Sequence, residues 1–217
     1  AIAWVDCSAA FAPLSVAQAT LDLAGAARVH GVAARLLRGV RGFGRLAPFV
    51  RHLADGGLVG LAAAEGPPFV APHGGNRAVI GTNPLALAIG RGADQVVIDL
   101  ATSSATMAGI RSARTDGRAL GEGVALDGTG RPTTIAGDVA ALLPRGGQVG
   151  SLLGLVVELL AGVAGGGRDD PAGRGVFLLA KDRATSGIVG DFDIARNISM
   201  PFLRALSLGG IVQRRAE

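Results

Sequence analysis

Two apolar runs sit close together in the middle of the chain: residues 85–89 (Leu-Ala-Leu-Ala-Ile) and residues 95–100 (Gln-Val-Val-Ile-Asp-Leu), flanking a turn at residues 90–94. Both are short, largely apolar and punctuated by turn residues, so they predict strands. Gly81-Thr82-Asn83-Pro84 precedes the first, and Asp99-Leu100-Ala101-Thr102-Ser103 closes the second. Gly and Pro allow tight turns there, and Asn, Thr and Ser satisfy exposed amides. Backbone donors and small hydroxyls thus gather at strand ends, a suitable place to hold a polar ligand.

The rest of the chain alternates in kind. Residues 2–6 predict a strand, 14–29 a helix, 32–40 a strand, 46–54 a helix stopped by Gly56-Gly57, and 58–64 a strand. This alternation argues an α/β class with a mixed sheet and flanking helices. Further on, residues 102–113 predict a helix capped by Thr102 or Ser103, and 117–144 a long functional loop. Residues 150–165 form the most apolar segment and predict a core helix. A polar linker at 165–174, a strand at 176–180 and a helix at 191–208 broken at Pro201 complete the reading. No Gly-x-Gly-x-x-Gly follows a strand and opens a helix, so a typical Rossmann fold is not predicted.

At 217 residues the chain suits a single domain, residues 1–217. Only 18% of residues are charged, so part of the surface is expected to be buried against a second copy, as a homodimer. The net charge is +4 and Lys181 is the only lysine. Arg35, Arg38, Arg41, Arg45 and Arg51 are the densest cationic cluster, without a nucleic-acid motif beside them. Binding of a small anion or carboxylate fits better than nucleic acid. Cys7 is alone, and His30, His52 and His73 lack ligand spacing, so no metal is expected. The start lacks a basic segment, and the longest apolar run contains Glu158 and is short of the roughly 20 residues a membrane span needs. The expected location is cytoplasmic.

Several pieces resemble the malate/L-lactate dehydrogenase family of the second type. They are Pro72-His73-Gly74-Gly75, Gly81-Thr82-Asn83-Pro84, Asp99 to Ser103, Asp127 with Gly130 and Thr133-Thr134, Pro144 with Gly146-Gly147, and Val157 to Gly162. They run in the family's order over about residues 5–183. The resemblance implies a sulfolactate dehydrogenase-like fold in a shortened chain. It also implies hydride transfer between a nicotinamide and a 2-oxo acid or imine carbon, in a pocket completed across a dimer interface; ureidoglycolate, sulfolactate and piperideine-carboxylate oxidoreductases belong to the family. In the resemblance the family's proton-transferring His-x-Gly turn falls on Gly42-Phe43-Gly44, and its cofactor lysine falls on Val149. An N-terminal helical segment and a C-terminal tail of the family have no counterpart in these residues.

The candidate catalytic residues are Asp99, His73 and Glu65, which can move protons. His73 reads either as an acid or base or as a locally bonded turn residue. Asp99 either binds ligand or caps the helix that follows it. Glu65 reads as a candidate acid or, with more weight, a solvated loop carboxylate. Glu158 reads as a buried, paired structural carboxylate. Phe43, Asn83, Thr102, Ser103, Met107 and Arg41 are the candidate substrate-binding residues.

Glycine transfers no proton and valine binds no phosphate. The reading that follows first is a repurposed enzyme without cofactor, a cyclase, isomerase or lyase acting on a largely apolar small molecule in bacterial natural-product biosynthesis. The alternative is an oxidoreductase of a 2-oxo or 2-hydroxy acid or a cyclic imine, using NADPH or NADH. A third reading is a non-catalytic partner of a full-length homologue.

Overall fold

A computed structural model of the chain describes residues 1–163, 176–182, 207–208 and 211–212. Strand β1 (Ile2–Asp6) leads through helix α1 (Ala12–His30) into β2 (Val32–Arg38), which runs parallel to β1. Parallel neighbours need a crossover of about a dozen residues or more, and α1 supplies it. Helix α2 (Ala47–Asp55) follows, then β3 (Leu58–Ala64), β4 (Leu85–Ile89) and β5 (Val96–Leu100). Strand β9 (Val176–Asp182) inserts between β2 and β3 and is antiparallel to both. The order β1-β2-β9-β3-β4-β5 makes one mixed sheet, as expected for the α/β class.

Helices α1 and α2 cover one face of that sheet. α1 buries Ala12, Val16, Ala19, Leu23 and Ala27, spaced by three or four residues, so a single stripe faces the strands. α2 buries Phe49, Val50, Leu53 and Ala54 and ends at Gly56-Gly57. Opposite it, β3 offers Gly60, where a Cβ would lie 2.9 Å from the Val50 carbonyl oxygen and 3.0 Å from Leu53 Cβ. The absence of that atom lets α2 lie close on the sheet.

Three predicted elements differ. The predicted loop at 117–144 contains a small sheet of two-residue strands, β6 (Ala125–Leu126), β7 (Pro132–Thr133) and β8 (Ala141–Leu142), in the order β7-β6-β8. Two-residue strands carry no readable period. This sheet closes a second core of Val70, Ile80, Ile110, Ala125 and Leu142.

Helix α3 begins at Met107, not at residue 102, and runs to Thr115. Its N-cap is Thr106, whose hydroxyl accepts from the Gly109 N–H at 3.0 Å, so the predicted caps Thr102 and Ser103 are corrected. The segment before it is held extended: the Thr102 N–H donates to Thr82 O, and the Arg145 N–H donates to Thr102 O.

The predicted core helix at 150–165 is helix α4 (Gln148–Val157), continued by a π-helical turn (Glu158–Val163). It packs through its small residues: Gly150, Gly154, Val157 and Ala161 are buried, while Leu152, Leu153, Leu155, Val156 and Leu159 stand exposed. At Gly154 a Cβ would lie 3.0 Å from Ile80 Cδ1. Close packing through glycine therefore turns the leucines outward. The predicted linker at 165–174 and most of the predicted helix at 191–208 lie outside the described residues. Ser207–Leu208 belong to a short strand, β10, paired with β11 (Ile211–Val212).

Candidate active site

The antiparallel register of β3, β4 and β5 brings three chain ends to one edge. Ala63 faces Leu85, and Leu85 faces Leu100, so the end of β3, the start of β4 and the end of β5 meet. A cavity of about 750 Å³ opens there. The loop from Gly42 to Ala47 forms one wall, and Thr106, Met107 and Arg111 at the start of α3 form another. Glu65 to Phe69, Thr82, Pro84 and Asp99 to Ala101 complete it. Its size is that of a small-molecule site, and its mixture of aromatic walls and few charged groups is of the usual kind.

Asp99 is exposed in this cavity and holds a second element in place. Its Oδ2 accepts from the Ala47 N–H at 2.8 Å. Helix α2 has Leu46 at its N-cap, without a side-chain cap of its own. Asp99 thus caps a helix from across the chain, though α2 rather than the helix that follows it. A carboxylate at a helix N-terminus also complements the helix dipole. Its Oδ1 takes no hydrogen bond among the described residues.

Glu65 follows β3 directly and is 7% exposed, so the solvated loop carboxylate expected with more weight is corrected. The end of a central strand carries it into the interior. Phe43 and Met107 line the same cavity. Four of the nine candidate residues, Phe43, Glu65, Asp99 and Met107, are therefore brought together.

The other five do not line it. Asn83 is fully buried and bonds Gly66, Gly154 and Glu158. Glu158 is thereby buried and paired, as expected. Thr102 Oγ1 donates to Thr82 O at 3.2 Å, and Ser103 Oγ donates to Ala105 O at 2.6 Å, so both hydroxyls hold backbone beneath the cavity. His73 is exposed in the turn at Pro72–Gly75, and its backbone N–H donates to Ser151 Oγ at 3.1 Å. Arg41 is exposed beside the loop and outside the cavity lining.

Arg111, Phe69 and Thr106 line the cavity and were missed. Arg111 had a signal: it lies four residues after Met107, on the same side of a helix. Among the described residues, no group of three or more His, Cys, Asp or Glu is placed to hold a metal ion. No described helix is long and apolar enough to cross a membrane.

Residues 1–200 match the malate/L-lactate dehydrogenase family. A Delta(1)-pyrroline-2-carboxylate/Delta(1)-piperideine-2-carboxylate reductase of Pseudomonas syringae pv. tomato is 40% identical over 167 residues, covering 75% of this chain and 49% of the relative. A (2R)-3-sulfolactate dehydrogenase (NADP(+)) of Chromohalobacter salexigens is 41% identical over 143 residues, 64% of this chain and 43% of the relative. The chain spans about half the length of the curated relatives it matches. The solved structure of the delta1-piperideine-2-carboxylate reductase from Pseudomonas syringae pvar. tomato superposes with a TM-score of 0.79 at 33% identity, over 96% of this chain and 68% of that one.

These relatives correct the leading functional expectation. Their names are those of reductases and dehydrogenases, one of them with NADP(+), and none names a cyclase, an isomerase or a cofactor-free enzyme of natural-product biosynthesis. Reading Gly42 and Val149 as the end of nicotinamide chemistry took two side chains for the whole apparatus. Hydride transfer depends first on alignment of two carbon atoms.

Proposed function

The chain belongs to the malate/L-lactate dehydrogenase family, and we propose that its cleft is an oxidoreductase site that reduces a cyclic imine carrying a carboxylate, with NADPH or NADH. The observation that carries the reading is Gly42 on the wall of the cavity, where the family resemblance expects a proton-transferring histidine.

The cavity suits the nicotinamide end of such a cofactor beside a small acid. Phe43, Phe69 and Met107 would hold the flat ring between apolar surfaces, and the cavity of about 750 Å³ has room for both molecules. Bound reduced nicotinamide supplies a hydride. Glycine at position 42 leaves no side chain there to deliver a proton. A 2-oxo acid needs one, because hydride addition leaves an alkoxide. A protonated cyclic imine does not. The hydride enters at carbon, the C=N electron pair moves to nitrogen, and that nitrogen already holds its proton. Asp99, exposed in the cavity, favours the cationic imine by its charge. The 40% identity to a pyrroline/piperideine-carboxylate reductase supports the same substrate class.

The test is steady-state oxidation of NADPH and of NADH with Δ1-pyrroline-2-carboxylate, Δ1-piperideine-2-carboxylate and pyruvate. The imines should exceed pyruvate in kcat/KM by about 10²-fold or more, the scale of a lost acid–base group. Absence of nicotinamide oxidation with all three would sink the reading. The sulfolactate dehydrogenase relative favours a second reading, a 2-hydroxy acid as substrate, and equal turnover of pyruvate would promote it.

We also propose that the chain is a homodimer. The exposed leucines and valines of α4 support it, and light scattering that finds a monomer at micromolar concentration would oppose it.

A further inference from the structure

We infer that Arg45 and Arg111 form a two-sided clamp for the carboxylate of the molecule bound in the cleft. The inference rests on the reductase reading and names the residues that would recognise the acid group.

Two arginines and two carboxylates carry the charge of the cavity lining: Arg45, Arg111, Glu65 and Asp99. Arg45 comes from the loop before α2, and Arg111 from the second turn of α3, so they approach from different walls. Both are exposed, and neither guanidinium is bonded to a described residue. The other arginines of the same elements are used differently. Arg114 on α3 donates to Ala136 O at 3.2 Å, and Arg38 pairs with Asp6 at 3.0 Å.

A guanidinium presents a planar fork that matches a carboxylate with two parallel hydrogen bonds. Asp99 is held in the sheet edge by the Ala47 N–H, away from the choice of partner that a free side chain has. The cleft therefore offers fixed negative charge at the sheet and adjustable positive charge at its rim. A protonated imine with an adjacent carboxylate has the complementary pair of charges. Met107 and Arg111 lie one turn apart on α3, so the apolar ring contact and the acid contact come from one helix face.

A phosphate of the cofactor has the same anionic chemistry, and the experiment must separate the two. Arg45→Gln and Arg111→Gln are prepared in the full chain, with Arg→Lys at each position as the charge-retaining control. Folding is checked by circular dichroism. The measurements are KM and kcat with Δ1-pyrroline-2-carboxylate, NADPH affinity by fluorescence titration, and calorimetric affinity for L-proline against L-prolinamide.

The expected result is a rise in KM of about tenfold or more in each Gln variant, with kcat less affected and the Lys variants between, since they keep charge but lose the fork. L-proline should outbind L-prolinamide in the wild type, and that preference should shrink in the Gln variants while NADPH affinity stays within about twofold. Unchanged KM and unchanged preference in both variants overturn the clamp. Weakened NADPH affinity at unchanged KM assigns the arginines to a phosphate and also overturns it. A wild-type chain that binds NADPH yet does not prefer L-proline overturns the clamp and leaves the reductase reading. A wild-type chain that binds neither NADPH nor L-proline overturns both.

Discussion

Asn83 Nδ2 donates to Glu158 Oε2 at 2.7 Å, at the point where α4 gives way to its π-helical turn. The same nitrogen donates to Gly154 O at 2.8 Å, and Asn83 Oδ1 accepts from the Gly66 N–H at 3.2 Å. Asn83 is fully buried with φ at 38°, a left-handed conformation that asparagine tolerates better than most residues. Gly66 lines the cavity, so one side chain ties the cleft wall to the α4–π junction. Single π turns often stand at functional sites.

Asn83→Ala should therefore destabilise the fold strongly. It removes three hydrogen bonds in a buried place and leaves their partners to find others. Each group left unsatisfied costs about 1–3 kcal/mol, so a total of about 3–5 kcal/mol is expected in urea unfolding. A change below about 1 kcal/mol would show that the network is not what holds this junction.

Asp99 joins a structural bond to a charge in the cleft, and two variants separate them. Asp99→Asn keeps an oxygen to accept from the Ala47 N–H and loses the charge. Its kcat/KM for a cyclic imine should fall by about tenfold, with the melting temperature nearly unchanged. Asp99→Ala loses the cap as well and should cost about 1 kcal/mol of stability besides. Equal kinetics for the Asp99→Asn variant and the wild type would remove Asp99 from the site.

The sheet was legible because its strands are bounded apolar runs, as at Leu58–Ala64 and Leu85–Ile89. The start of α3 was not, since Thr102, Ser103 and Thr106 are equal candidates for a cap until tertiary bonds occupy the first two. The orientation of α4 was also hidden. Its leucines read as core, but Gly150 and Gly154 allow the close approach that buries the other side. In the site, Phe43, Glu65, Asp99 and Met107 were found because each sits where a strand or helix begins or ends. Asn83 and Thr102 share that position and were assigned to substrate, yet they hold backbone, because hydroxyls and amides at strand ends serve either purpose. For function, the chain shows that position 42 is glycine; it does not show whether the substrate brings its own proton.

Gly60→Ala tests how close α2 sits on the sheet. The added methyl would meet Val50 O at 2.9 Å and Leu53 Cβ at 3.0 Å. Backbone cannot yield as a flexible side chain does, so a loss of about 1–3 kcal/mol is expected in chemical denaturation. Because Ala47 is the first residue of α2 and lines the cavity, KM should rise with it. A stable variant with normal KM would mean that α2 shifts freely.

Acid sensitivity follows from three depressed carboxylates. Asp6 is lowered from the ordinary 3.8 to about 2, first by the Ser8 hydroxyl, then by the Ser8 N–H, and then by Arg38. Asp116 is lowered chiefly by its hydrogen bond from Arg118, and Asp127 chiefly by its hydrogen bond from Thr129. A lowered folded-state value means that the native fold favours the ionised form. The stability this contributes is complete above the unfolded value of about 4 and is lost as pH falls toward the folded value. The melting temperature should therefore drop between about pH 4 and pH 2, and Asp6→Asn should make that drop shallower. The contribution per residue is small, because these groups are exposed and water screens them. Salt gives the sharper test. Neutral donors from Ser8 and Thr129 lead for Asp6 and Asp127, and hydrogen bonds from neutral donors are not screened as exposed charge pairs are. Most of the pH dependence at Asp6 should therefore survive about 1 M salt, in which screening acts within about 3 Å. Its disappearance in high salt would transfer the cause from Ser8 to the Arg38 charge.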